Sequence, residues 1–105
     1  MNELDCLFIE VKKDEYHQHI KIDAIEIAIH YNYLVDIYFL NVFADDKLIL
    51  VNAPILPNID MFKGLKFTTR ENQPLGSLYF NYPKKDKIGK DDLFNLDLIY
   101  FEEVV

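Results

Sequence analysis

"IKIDAIEIAIH", residues 20 to 30, is the stretch on which the fold class turns. Ile20 and Ile22 alternate with Lys21 and Asp23, the two-residue period of a half-buried strand. After Ala24 the phase slips, and Ile25, Ile27 and Ile29 alternate with Glu26, Ala28 and His30. A slip of one residue turns the apolar set to the opposite face unless something absorbs it. A β-bulge near Ala24 and Ile25, inside one continuous strand, is the expected device. A helix can also be drawn through 20–31, but five isoleucines, branched at Cβ, favour the strand.

The same rhythm extends along the chain. "CLFIEV" (6–11) is short and β-compatible, and the charged "KKDEYHQH" that follows marks a loop. "YLVDIYFLNVF" (33–43) is apolar on both faces, so a central strand is expected. "ADDK" (44–47) reads as a hairpin turn with Asp45 and Asp46 at its tip, and "LILV" (48–51) as the return strand. "LKFTT" (65–69) and "SLYFNY" (77–82) read as strands joined by a turn around Pro74 and Gly76. "LFNLDLIYFE" (93–102) closes the series after a polar loop.

About seven short strands without an amphipathic helix imply an all-β domain, a small antiparallel β-barrel or sandwich. "LVNAPILPNIDMFKGLKF" (50–67) interrupts the pattern. Pro54 and Pro57 end a strand because neither donates to a ladder. Asn58 is expected to cap one short helical turn near residues 58–63, with Gly64 terminating it. Ile55, Leu56, Met61 and Phe62 then plug one open end of the core. Within that lid Leu56 is expected to face the core, and Phe62 is the candidate for an outward anchor.

The 105 residues suffice for one domain with one core, and 50% are hydrophobic. The net charge of −7, from 18 acidic and 11 basic residues, argues against a phosphate-binding surface and hence against a nucleic-acid partner. Lys84, Lys85, Lys87 and Lys90 are the one basic run, and they sit among acids as a solvated loop. Cys6 is alone, so no internal disulfide is expected and a reducing compartment fits. The acidic start "MNELDCLFIE" does not resemble a signal peptide, and no apolar run has membrane-spanning length, so a cytoplasmic origin without membrane contact is expected.

Chemistry has few footholds. His17 and His19 at i, i+2 point the same way on an extended segment and, with Glu15 or Cys6, could hold a transition metal. Two exposed histidines in a charged loop are the simpler reading, so no metal is expected. Asp45-Asp46 and Asp91-Asp92 lack the spacing of a calcium loop and read as a turn tip and a loop cap. Ser77, the one serine, has no nucleophile-elbow context, and glycines only at 64, 76 and 89 form no phosphate loop. Neither an enzyme nor a cofactor is expected. Seven Tyr and eight Phe exceed what so small a core needs, which leaves aromatic side chains for a partner interface.

The order "YNYLVDIYFLNV", "LILVNAPILPNIDMF", "PLGSLYF" and "KDDLFNLDLIYFEE" resembles the baseplate plug proteins of contractile-tailed bacteriophages, over roughly residues 20–103. In that resemblance Asn32 or Asn41 matches the asparagine of the family's first strand, and Pro54 to Phe62 its proline-apolar segment. Gly76 with Leu78 matches the middle glycine strand, and Asp92-Leu93 with Leu98 and Tyr100 the closing strand. The resemblance implies a non-enzymatic virion component, assembled in the host cytoplasm and oligomeric only within the tail. Hub proteins are its implied partners, with a spike or tape-measure protein as further contacts. Ile55, Leu56, Met61, Phe62, Tyr79 and Tyr82 are then the candidate interface residues. The competing expectation is an acidic cytoplasmic adaptor or inhibitor that uses the same aromatic surface.

Overall fold

A computed structural model of the protein describes residues 5–65, 75–83 and 86–102. Seven strands are present among them: β1 (Asp5–Ile9), β2 (His17–Ile22), β3 (Ile25–Asn32), β4 (Ile37–Ala44), β5 (Lys47–Pro54), β6 (Ser77–Asn81) and β7 (Asp97–Glu102). All pairings are antiparallel, in a three-stranded sheet of order β1-β7-β6 and a four-stranded sheet of order β2-β3-β4-β5. The sheets are not closed into a barrel, so the sandwich is the alternative realised. "LKFTT" (65–69), expected as a strand, lies outside the described residues apart from Leu65.

Alternation places the core. Ile25, Ile27 and Ile29 of β3 and Tyr38, Leu40, Val42 and Ala44 of β4 are buried, as are Leu78 and Phe80 of β6 and Leu98 and Tyr100 of β7. They form one cluster with Ile22, Ile55, Phe62, Leu75, Ile88 and Leu93, so the two sheets share a single core. The cross-strand pairs Ile27–Val42, Ile29–Leu40 and Tyr31–Tyr38 stack inward, while Ala28–Asn41 and His30–Phe39 face out.

The phase slip at Ala24 is not a bulge. Asp23 and Ala24 form a two-residue turn between separate strands, and Ile22 pairs with Ile25. Directly opposed residues share a face, so a chain reversal keeps Ile20, Ile22, Ile25 and Ile27 pointing inward without an extra residue. Asp23 takes a left-handed φ of 52° there. At the β4–β5 hairpin Asp45 and Asp46 both have positive φ, 50° and 63°, as the type I′ geometry at such tips requires. The bulges lie in β5, whose register against β4 shifts twice. Asn52, at φ 47°, occupies one irregularity and donates its backbone N–H to Asn41 Oδ1 at 2.9 Å.

All seven non-glycine residues with positive φ among the described residues are Asp or Asn. Short polar side chains tolerate this region, and in a chain with three glycines they take over the turn chemistry. Gly76 is different: at φ +79° a Cβ would collide with the carbonyl oxygen of Phe101, so β6 enters its sheet at a place only glycine fits.

No helical turn forms at 58–63; those residues make two successive turns, closed by Lys63 N–H to Asp60 O at 3.2 Å and Leu65 N–H to Phe62 O at 3.0 Å. The short helix is a 3₁₀ turn at Asp92–Asn95 instead, which buries Leu93.

Candidate docking surface

The proline-bracketed segment joins the two sheets. Ile55 N–H donates to Tyr38 O at 2.9 Å, continuing the edge of the four-stranded sheet past Pro54. The chain then runs along β6, where Asn58 N–H donates to Phe80 O at 2.9 Å and Met61 N–H to Leu78 O at 2.8 Å. Side chains complete this ladder in place of backbone. Asn58 Oδ1 accepts from Tyr82 N–H at 2.8 Å while its Nδ2 donates to Tyr82 O at 3.0 Å. Asp60 Oδ1 accepts from Phe62 N–H at 2.9 Å and from Leu78 N–H at 3.1 Å. The two prolines, which cannot donate, sit where the segment leaves one sheet and reaches the other.

That path fixes the six interface candidates. Ile55 and Phe62 are each 2% exposed, and Phe62 meets Tyr100 edge-on with ring centroids 6.3 Å apart. Leu56 is 50% exposed. The expected roles of Leu56 and Phe62 are therefore exchanged: Phe62 is core and Leu56 faces solvent. Met61 is half-buried against the core. Tyr79 is half-buried on the outer face of the three-stranded sheet, bridged to Asp60 and edge-on to Phe101 at 5.7 Å. Tyr82 is half-buried and donates its hydroxyl to Asp92 Oδ1 at 3.0 Å, which raises its pKa.

One apolar surface escaped the sequence reading, and a second extends outward from its candidate Tyr79. The first is the β3–β4 turn, where Tyr33 and Leu34 are each 79% exposed and Val35 is 53% exposed. Residues 33–36 are a turn, not the start of a strand. Asn32 Oδ1 accepts from Leu34 N–H at 3.0 Å, and Asp36 has φ 52°. Asp36 accepts the Tyr31 hydroxyl at 2.6 Å and lies 3.4 Å from Lys87 Nζ. The Tyr31 hydrogen bond holds the Asp36 carboxyl below its usual pKa and pushes the Tyr31 phenol up to about 12. Hairpin tips favour Gly, Asn and Asp, so the chemistry of the turn does not itself account for three large apolar side chains there. The available signal was an apolar trio between Asn32 and Asp36, both turn-forming residues.

The second surface is a cross-strand row on the outer face of the three-stranded sheet. Phe8 pairs with Ile99, and Ile99 with Tyr79. Phe8 is 71% exposed.

The end of the sandwich beneath the turn is closed by tyrosines. The Tyr16 hydroxyl donates to Asp91 Oδ1 at 3.3 Å, the buried Tyr38 hydroxyl donates to Lys90 O, and Lys90 Nζ lies 5.0 Å from the Tyr16 ring centre. Burial is the main cause that raises the Tyr16 and Tyr38 phenols.

The histidines share the outer face of the β2–β3 hairpin. His17 opposes His30, with rings stacked at 6.4 Å, and His30 stacks on Phe39 at 5.8 Å. Burial, then the neighbouring His17, lowers the His30 pKa. His19 Nδ1 lies 3.1 Å from Glu26 Oε1. Among the described residues no group of three or more His, Cys, Asp or Glu side chains is placed to hold a metal ion. A depression of about 210 Å³ lies between the β2–β3 and β4–β5 turns, lined by Lys21, Asp23, Glu26, Phe43, Asp45 and Asp46 among others. Ligand pockets usually enclose roughly 300–1,000 Å³.

No protein-family model matches the chain, and no curated protein matches it either. Fold and surface define an all-β sandwich that presents apolar side chains to solvent.

Proposed function

We propose that the protein is a non-enzymatic structural component of a contractile tail, a baseplate or tail-tube plug that docks on hub proteins. The observation that carries docking is the Tyr33-Leu34-Val35 turn, braced by the Asn32 side chain and more than half exposed at each position. Burying one such side chain against a partner is worth about 1.5–3 kcal/mol. A turn already fixed by Asn32 and Asp36 loses little further entropy on binding. The order of sequence features supports the contractile-tail assignment, and the net charge of −7 favours a partner whose docking site is apolar with a basic rim.

Mass spectrometry of contractile particles purified from the source cell tests the reading. The protein is expected at fixed stoichiometry with the hub proteins through successive gradients. Its loss from intact particles would remove the tail assignment and leave the acidic adaptor.

A further inference from the structure

Three rings stand side by side across the outer face of the four-stranded sheet, one from each of β2, β3 and β4. His17 opposes His30 with the ring planes 15° apart, and His30 lies at 18° to Phe39. The adjacent pair, Tyr16 and Tyr31, is joined by a backbone bond, Tyr31 N–H to Tyr16 O at 3.0 Å. Bonded and non-bonded pairs alternate along an antiparallel ladder, so His17 and His30 are a non-bonded pair, the kind that brings side chains closest. A second contact fixes the state of His30. Asn41 Oδ1 accepts the Asn52 N–H at 2.9 Å, which leaves Asn41 Nδ2 facing His30 Nδ1 at 3.4 Å. An amide nitrogen only donates, so His30 Nδ1 is the acceptor and carries no proton. Protonating it sets N–H against N–H, and flipping the amide forfeits the Asn52 bond.

We propose that His17 and His30 are a pH-sensitive latch, which holds the start of β2 on β3 while both imidazoles are neutral and loosens it when they are protonated. The latch does not rest on the contractile-tail reading. Two like charges directly opposite each other across a strand pair destabilise it. The groups that meet His30 are His17 from β2, with Phe39 and Asn41 from β4, and those two β4 residues carry no charge. Farther along the same face Glu26 stands opposite Lys21 and is engaged by His19 at 3.1 Å. Among the described residues no carboxylate pairs with His30. Burial first, and then His17, lower the His30 pKa from its ordinary value. The unfolded chain therefore takes up this proton before the folded one as pH falls. The stabilisation is complete above the ordinary imidazole value of about 6.5 and is lost as pH falls through the lower, folded value. What the latch secures includes Gln18, whose side chain holds the preceding loop through Lys12 N–H, Lys12 O and Glu15 O. β2 is an edge strand, so its start can part from β3 without breaking any other strand pairing.

Nuclear magnetic resonance of the full chain, from about pH 8 to about pH 5, tests this. Each imidazole is followed through its Cε1–H. The Tyr31 amide, whose bond to Tyr16 flanks the pair, is followed by hydrogen exchange corrected for its intrinsic rate. His30 is expected to titrate below the usual imidazole value. The protection of Tyr31, relative to the amides of central β4, is expected to fall about two- to fivefold over the interval. His30→Phe keeps a ring between His17 and Phe39 and is expected to abolish the fall, whereas His19→Ala is expected to leave it. His17→Phe, which leaves one charge instead of two, should reduce the fall and bring the His30 titration toward its usual range. His30 titrating at or above that range overturns the proposal. Tyr31 protection that stays level across the interval does so too, as does a fall undiminished in a folded His30→Phe or His17→Phe.

Discussion

Replacing Phe62 with alanine and Leu56 with aspartate separates two positions that look alike in the sequence. Phe62 is 2% exposed and packs on Tyr100 in the shared core. Its truncation loses transfer free energy and leaves a cavity, for which about 3–5 kcal/mol is usual. A domain of this length has about 5–15 kcal/mol in all, so Phe62→Ala removes a large share. At roughly 4–8 °C per kcal/mol, the melting temperature should fall by about 12–40 °C. Leu56 is 50% exposed, and a carboxylate there stays hydrated. Only the covered half of the side chain is lost, for a cost of about 1 kcal/mol. Urea titration followed by tyrosine fluorescence, with a thermal scan, measures both. If Leu56→Asp proved the more damaging change, the path of residues 55–62 derived above would be wrong.

Two further outcomes follow from the same geometry. Asp60→Ala leaves the N–H groups of Phe62 and Leu78 without their acceptor and should cost about 2–4 kcal/mol, while Asp60→Asn, which keeps an oxygen there, should cost about 1 kcal/mol by urea titration. The Tyr31 and Tyr100 phenols, raised to about 12 chiefly by the Asp36 hydrogen bond and by burial respectively, stay protonated in the folded protein at pH values where unfolded tyrosines ionise. Their stabilisation is complete below pH 10 and is lost as pH rises toward 12. The urea midpoint should decline over that interval, and absorbance at 295 nm should show two phenols titrating near its upper end.

The strands were legible because alternation is a local property, and so was the Asp45-Asp46 tip. What escaped depends on partners distant in sequence. A phase slip at Ala24 looks the same whether a bulge or a reversal causes it; only the Ile22–Ile25 pairing distinguishes them. Asn58 looks like a helix cap, yet its side-chain oxygen serves Tyr82, 24 residues away, and that of Asp60 serves Leu78, 18 residues away. For the same reason the apolar identity of Leu56 and Phe62 did not reveal which one turns inward. Tyr33, Leu34 and Val35 were assigned to a strand because apolar residues hide a turn. Their exposure, the basis of the proposed docking surface, is visible only once β3 and β4 are seen to end on either side of them.

The central claim is that stability resides in the Phe62 side of the molecule and docking in the Tyr33–Val35 turn. Its most direct test is the occupancy of Leu34→Asp in purified contractile particles, relative to wild type in the same preparation. Losing about 2 kcal/mol of burial corresponds to about thirtyfold weaker docking, so the variant should be folded, unchanged in melting temperature and strongly depleted from particles. Full incorporation of a normally folded Leu34→Asp protein would contradict the account.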